Sequence, residues 1–183
     1  KLVIPESVEK IFQIDEHIAA AASGILSDGR VLIERAQIVA QQHRVTYDSP
    51  IDTQSIVKDI CNLKQYFTQV GGARPFGVSI MFIGVDENGK DEGNAKLFIT
   101  DPTGIFFEFK ATVLGENEAE IREILETDYN ENISVDEGTK LAIKTLKKVL
   151  GKEYDSKRVD GAYIMSKERK FTRLTQDKIS KIK

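Results

Sequence analysis

The sequence predicts an α+β fold in four layers, α-β-β-α, with two antiparallel sheets between two layers of helices. Two observations carry this prediction. Pairs of helical segments alternate with groups of strands, and the strand at residues 78–85 is apolar at almost every position. Such a strand is typical of a sheet that is covered on both faces. Helices can cover one face and a second sheet the other, which produces four layers.

The change from helix to strand occurs in the loop at residues 70–77. Gly71, Gly72 and Pro75 lie in this loop. Glycine accepts left-handed backbone angles, and proline disfavours the helical conformation for the residue before it. The loop is therefore expected to end a helix and to lead directly into the apolar strand.

The first 70 residues predict two short strands followed by two helices. The strands lie at residues 10–14 and 17–22, and the first helix follows Asp28 and Gly29. Asp52 is the expected N-cap of the second helix, because its carboxylate can accept a hydrogen bond from the helix N-terminus. Residues at helical spacing form the buried sides of the two helices: Leu32, Ile33, Ala36, Val39, Ala40 and His43, then Ile56, Ile60, Leu63 and Phe67.

Three strands are predicted after the loop, at residues 78–85, 95–100 and 105–114. A polar hairpin loop that contains glycine, at residues 86–93, separates the first two. A four-residue turn at residues 101–104 separates the second from the third, and its proline sets the backbone angle at the second position.

Two further helices are predicted in the second half of the chain. The third helix begins at Asn117, and the fourth begins with a capping box formed by Ser134 and Glu137 and ends at Gly151. The third helix places Ile121, Ile124 and Leu125 on one face, and the fourth is expected to bury Ala142, Leu146, Val149 and Leu150.

The chain is predicted to end with a hairpin at residues 163–166 and 171–174 and a short basic helix at 178–183. A length of 183 residues fits a single domain, 1–183, with a substantial core. The net charge of −3 gives no sign of nucleic-acid binding, and no apolar run is long enough to span a membrane. A single cysteine suits a reducing, cytoplasmic compartment.

Residues that could carry catalysis or bind a metal are few. Cys61, His17 and His43 are isolated in the sequence, and each is expected to be packed in the fold. Gly71 and Gly72 are not followed by the lysine and hydroxyl residue of a phosphate-binding loop. We therefore predict no catalytic residue, no metal and no cofactor.

A set of short motifs follows the chain from residue 1 to about residue 174. The most specific lies in the loop before the apolar strand: Gln69, Gly71, Gly72, Arg74, Pro75, Phe76, Gly77, Val78 and Ser79. Others comprise Ser7, Glu9, Lys10 and Ile11; Ser23 and Gly24; Asp28, Arg30, Val31 and Leu32; and Thr100, Asp101, Pro102 and Gly104. Together these motifs resemble those of archaeal proteasome α subunits.

The resemblance implies the N-terminal nucleophile hydrolase fold and a non-catalytic subunit. Such a subunit forms a seven-membered outer ring with copies of itself, stacks on a ring of catalytic β subunits and binds a regulatory ATPase. Lys10, Gly24 and Ile25 match positions that receive the C-terminal tail of the ATPase, which ends in a hydrophobic residue, tyrosine and any residue. The residues alone leave open that Lys10 is an ordinary solvated lysine.

The sequence departs from the family pattern at residues 114–117, where Leu-Gly-Glu-Asn replaces Ile-Gly-x-Gly. Family members also carry an N-terminal helix, two strands and gate residues before the position of Lys1. A chain without them is expected to be less stable than the full subunit, because a sheet would lack strands.

Two other functions remain as alternatives. A threonine protease subunit of the β type would expose a threonine, serine or cysteine at a processed N-terminus, whose free amine acts as the base. A self-assembling scaffold would form rings or dimers without β subunits.

Overall fold

The computed structural model describes residues 9–87 and 94–182. The chain divides into two compact units. The larger comprises Lys10–Phe109 and Ile164–Phe171, and the smaller comprises Glu9, Lys110–Tyr163 and the residues from Thr172 onward. The predicted hairpin loop at 86–93 lies for the most part outside the described residues.

The larger unit contains a five-stranded antiparallel sheet and two helices. The strands pair in chain order, β1 with β2 through to β4 with β5. They are β1 Ile11–Asp15, β2 Ile18–Gly24, β3 Val78–Asp86, β4 Asn94–Thr100 and β5 Phe106–Glu108. The helices, α1 Leu26–Tyr47 and α2 Thr53–Gln69, follow β2 in the chain. The predicted α+β class is therefore confirmed.

The core of the larger unit lies between the two helices and one face of the sheet. Cross-strand pairs such as Ala20 with Phe82 and Ala22 with Ile80 line this face. A side chain at Gly84 would overlap the Thr53 hydroxyl, so glycine permits the start of α2 to approach β3 closely. The helices contribute the remainder of the buried cluster: Leu32, Ile33, Ala36, Ala40, Ile56, Val57, Ile60 and Cys61.

The burial of β3 alternates along the strand. Val78, Ile80 and Phe82 are buried, whereas Met81 and Ile83 are half-buried. The sequence predicts that β3 is buried on both faces. The structure confirms this for the residues that face the helices, whereas the residues on the opposite face are only half-buried.

Two predicted boundaries in the larger unit are wrong. Helix α1 begins at Leu26, before Asp28 and Gly29, which lie in its first turn. Strand β5 covers only Phe106–Glu108, although apolar residues alternate as far as Leu114. Only Phe98–Thr100 of β4 pairs with it, and the chain passes into the smaller unit at Lys110.

The smaller unit contains α3 Glu118–Asp128, α4 Val135–Leu150 and α5 Gln176–Lys181. The capping box of Ser134 and Glu137 is present, and Gly151 caps the C-terminus of α4. The prediction that α4 buries Ala142 is wrong: Ala142 is exposed, and Ile143 and Thr145 are buried instead. The predicted hairpin is present as β6 Ala162–Ile164 and β7 Phe171–Arg173.

None of the helices in the described part of the chain combines the length and apolar character needed to cross a membrane.

Candidate functional site

Gly24 and Ile25 form the connection between β2 and α1. Gly24 has a φ of +119°, and a Cβ there would lie 2.5 Å from the carbonyl oxygen of Gly77. The Ile25 backbone N–H donates to the same Gly77 oxygen at 2.9 Å. Both the left-handed angle and the close approach require glycine at position 24. The Ile25 side chain is 46% exposed and is available for apolar contact.

Lys10 lies at the same end of the sheet as Gly24. The Ala22 N–H donates to the Lys10 carbonyl at 3.3 Å, so Lys10 faces a residue only two positions before Gly24. Two residues of strand span about 7 Å. The Lys10 residue is exposed, and among the described residues no carboxylate forms a salt bridge with its ammonium group. The structure thus brings Lys10, Gly24 and Ile25 together. Because the resemblance assigns tail docking to these three positions, we call them the docking site.

The loop at residues 70–77 is attached to the first turn of α1 by the Asp28–Arg74 pair. The two terminal nitrogens of the Arg74 guanidinium donate to the two Asp28 carboxylate oxygens at 2.6 and 2.8 Å. The Gly77 backbone N–H donates to Asp28 Oδ2 at 2.9 Å. The Arg74 hydrogen bonds, followed by the Gly77 N–H, lower the pKa of Asp28 to about 2.

The role of Asp28 is absent from the sequence prediction, which uses this residue only as part of a motif at the start of a helix. Asp28 and Arg74 are 46 residues apart, so no local spacing relates them. A carboxylate in the first turn of a helix suits the helix dipole in any protein. The sequence therefore offered no reason to expect Arg74 as the specific partner of Asp28.

The remaining residues of the loop motif serve its conformation and packing. Phe76 contacts Phe67 of α2 with ring centroids 4.9 Å apart, and it packs against the core. The Pro75 carbonyl accepts a hydrogen bond from Arg74 at 3.0 Å. Gly72 has a φ of +82°, whereas a Cβ at Gly71 would meet no atom within 4 Å. Only Gly72 of this pair therefore needs to be glycine for a conformational reason.

The isolated cysteine and histidines are packed in the larger unit, as predicted. Cys61 is buried, and burial raises the pKa of its thiol to about 11, so the reactive thiolate is disfavoured. His17 contacts the Ile51 carbonyl at 2.8 Å and His43 contacts the Ser49 carbonyl at 3.0 Å. No group of three or more potential metal-binding side chains occurs among the residues that the structure describes.

An apolar stripe lies on the outer surface of α1. Val31, Ile38 and Val45 are 48%, 49% and 88% exposed, and they are spaced by seven residues. Seven residues make almost two helical turns, so the three side chains lie along one side of the helix. We call these residues the α1 stripe. These side chains give one side of α1 apolar surface that a partner protein could cover.

Comparisons with known proteins agree on one family. The family model described as "Proteasome subunit" matches residues 1–176. The chain is 44% identical to a proteasome subunit alpha of Methanocaldococcus jannaschii over 182 residues, which cover 100% of this chain and 67% of that protein. It is also 44% identical to proteasome subunit alpha proteins of Thermococcus sibiricus and Pyrococcus horikoshii, in each case over 99% of this chain and 67% of the relative.

Proposed function

Because the chain belongs to the proteasome subunit family, as an archaeal α-type member, we propose that it docks a regulatory ATPase on the proteasome core particle. As a member of that family it is part of a protease complex and assembles with other proteasome subunits. In the proposed role it forms an outer seven-membered ring, stacks on the catalytic β ring and performs no hydrolysis itself.

The single observation that carries the docking proposal is the convergence of Lys10, Gly24 and Ile25 at one end of the sheet. A protein tail that ends in a free carboxylate needs a cation, and the exposed Lys10 ammonium supplies one. The turn at Gly24 has no side chain, so the tail backbone can approach it closely. Ile25 offers apolar surface to the hydrophobic residue of the tail. A charge-assisted hydrogen bond contributes about 1.5–3 kcal/mol to such binding.

The docking proposal is tested by the Lys10→Ser substitution in the full-length subunit, assembled into core particles. We expect ATPase-stimulated protein degradation to fall by about tenfold, because the loss of one charged hydrogen bond weakens binding by that factor. The basal hydrolysis of short peptides reports that the particle is intact. Lys58→Ser is the matched control, since Lys58 is an exposed lysine on α2. Unchanged stimulation in an intact ring would remove the docking assignment.

We propose that the α1 stripe packs against a neighbouring proteasome subunit. The Ile38→Asp substitution would place a charge in the middle of this apolar surface, and desolvation of that charge opposes association. We expect assembled particles to be largely replaced by smaller species in native mass spectrometry. Thr46→Asp adds the same charge to an exposed position of the same helix and serves as the control. If Ile38→Asp assembles like the control, the stripe is not an interface.

The absence of catalysis in this subunit is also part of the proposal. The buried, protonated Cys61 thiol and the hydrogen-bonded histidines support it. Purified full-length subunit without β subunits should hydrolyse no peptide substrate, and intact mass measurement should find no threonine, serine or cysteine exposed by processing. A processed N-terminus of that kind, together with hydrolysis, would instead indicate a catalytic subunit.

A further inference from the structure

Lys64 of α2 is completely buried, and its ammonium group is surrounded by neutral oxygens. Nζ donates to Thr100 Oγ1 at 2.8 Å, to the Val78 carbonyl at 3.0 Å and to the Asp101 carbonyl at 3.1 Å. The Thr100 carbonyl lies at 3.4 Å. Among the described residues, no carboxylate lies within salt-bridge distance of this ammonium group. Lys64 therefore connects α2 to the start of β3, the end of β4 and the turn that follows.

Such a charge is unfavourable for the stability of the fold by itself. A buried ammonium loses its hydration, and no ion pair compensates it here. A methionine would fill a similar volume without this penalty, but the carbonyl and hydroxyl oxygens would then lose their donor. The energetics indicate that the ammonium group serves to hold particular backbone groups in place.

One of those groups belongs to a residue beside the docking site. Lys64 contacts the carbonyl of Val78, the residue that follows Gly77 in the chain. The Gly77 carbonyl accepts the Ile25 N–H at 2.9 Å and limits the space at Gly24. Gly77 and Val78 thus form a wall behind Gly24 and Ile25, and Lys64 holds that wall from the interior of the unit.

We propose that Lys64 is a positioning residue for the docking site, because its ammonium group fixes the Gly77–Val78 wall on which Gly24 and Ile25 rest. This inference rests on the proposed docking function. Lys64 is buried and cannot touch the tail, but it would still affect the affinity of the docking site for the tail carboxylate. A purely structural role would change the stability of the subunit and leave that affinity unaltered.

The test measures peptide binding to core particles assembled from the full-length subunit. The probe is an N-acetylated, fluorescently labelled peptide that ends in leucine, tyrosine and alanine with a free carboxylate. The same peptide with a C-terminal amide reports binding that does not involve the carboxylate. Dissociation constants are measured by fluorescence anisotropy at pH 7, and thermal unfolding of each particle is recorded alongside.

We expect Lys64→Met to weaken binding of the carboxylate peptide by about three- to tenfold, the factor that corresponds to one lost buried hydrogen bond. Lys58→Met changes an exposed lysine of the same helix and should leave the dissociation constant unchanged. Lys10→Ser should abolish the preference for carboxylate over amide. If Lys10→Ser has this effect and Lys64→Met binds like Lys58→Met, the inference about Lys64 is overturned and the docking function stands.

Two other outcomes are also decisive. If the wild-type particle shows no preference for the carboxylate, the docking function fails and the role of Lys64 fails with it. If Lys64→Met does not assemble, Thr100→Val replaces it, because this substitution keeps Lys64 and removes its 2.8 Å acceptor, along with the longer 3.3 Å hydrogen bond from the Thr100 hydroxyl to the Ile80 carbonyl. We expect about threefold weaker binding for Thr100→Val, and unchanged binding would overturn the inference.

A pH profile separates positioning from a general effect on stability. Burial lowers the pKa of Lys64 to about 8, so the group loses its charge between pH 7 and 9. A neutral amine has two N–H donors for the surrounding oxygens, whereas the ammonium has three. Peptide affinity of the wild-type particle should therefore fall about threefold over this range. The profile of Lys64→Met should be flat, and a flat wild-type profile would contradict the proposal.

The two titratable groups that act on Lys64, Cys61 and Asp101, do not change charge over this pH range. Burial raises the pKa of the Cys61 thiol to about 11, so the thiol stays neutral over the range. Burial opposes ionisation of Asp101, but hydrogen bonds from Thr103 and Ile105, together with the Lys64 charge, outweigh it and keep the pKa of Asp101 below its ordinary value. Among these three groups Lys64 is thus the one that changes charge, and the strands β3 and β4 contribute carbonyl and hydroxyl oxygens to its surroundings.

Discussion

The Gly77–Val78 wall is held from two sides by contacts of opposite character. On the outer side, the Asp28–Arg74 pair and the Gly77 N–H form charge-assisted hydrogen bonds, and the Arg74 side chain is 64% exposed to solvent. On the inner side, Lys64 is fully buried and bound only by neutral oxygens. Water and salt screen the outer contact, and neither reaches the inner one. Added salt can therefore weaken the Asp28–Arg74 pair, whereas the Lys64 contacts change only when Lys64 is substituted or deprotonated.

The largest expected effect concerns the wall itself, on which both contacts depend. Gly24→Ala would place a Cβ 2.5 Å from the Gly77 carbonyl and keep the backbone at a φ of +119°. We expect the free energy of unfolding to fall by about 4 kcal/mol, from strain and overpacking together. Gly71→Ala is the matched control, since a Cβ there meets nothing within 4 Å. Similar unfolding midpoints for the two variants in urea would show that the wall is not rigid.

The next prediction concerns Lys64 on the inner side and the dependence of stability on pH. The pKa of Lys64 is about 8 in the folded chain and 10.5 when unperturbed. Between these values the unfolded chain binds more protons than the folded one, so the unfolding free energy rises with pH. The gain from pH 8 to 10.5 has an upper bound of about 3 kcal/mol. Urea unfolding of the wild type and of Lys64→Met over this range measures it, and equal slopes for both would assign the rise to another group.

A smaller effect is expected at the outer side, with the opposite dependence on pH. The pKa of Asp28 is lowered from 3.8 to about 2, so its contribution to stability is complete above pH 4 and is lost as the pH falls through 2. Asp28→Asn should lower the melting temperature by about 3 °C at pH 7, a typical response to the loss of one such contact in a chain of this size.

Salt provides the control for this prediction. The difference between the wild type and Asp28→Asn should shrink at 1 M NaCl, because the Arg74 partner is exposed. The corresponding difference for Lys64→Met should not change with salt. If salt affects the two variants equally, the contrast between a screened outer contact and an unscreened inner one is wrong.

Sequence reasoning succeeded where the controlling interactions are local. The Asp52 cap accepts from the Ser55 N–H, and the capping box of Ser134 and Glu137 is formed as predicted. The turn at residues 101–104 closes with a hydrogen bond from the Gly104 N–H to the Asp101 carbonyl. Each of these contacts joins residues three positions apart, so the sequence displays both partners together.

It failed where burial is decided by distant partners. Lys64 lies among the buried residues of α2, although its type predicts exposure. Its acceptors come from β3, β4 and the turn after β4, up to 37 residues away. Similarly, periodicity located the helix α4 but chose Ala142 instead of Ile143 for its buried side, because a small error in phase rotates the predicted face.

The candidate site was also only partly predictable from the sequence. The resemblance pointed to Lys10, Gly24 and Ile25, and the antiparallel pairing of β1 with β2 brings Lys10 to the end of the sheet where Gly24 lies. Glycine at position 24 was visible in the sequence, but the reason for it, the Gly77 carbonyl, was not. Whether these residues receive a tail stays a prediction until binding is measured.

By itself, the sequence determined the order of helices and strands, the caps and turns between them and the family to which the chain belongs. The helices, strands, caps and turns depend on residues that are close in sequence, and the family follows from motifs that can be compared directly with those of other proteins. The tertiary structure alone decided that Asp28 accepts the Gly77 N–H while Lys64 binds the carbonyl of the next residue, Val78. Such contacts depend on how α1, α2 and the sheet pack, because only packing brings residues 14 to 49 positions apart within hydrogen-bond distance.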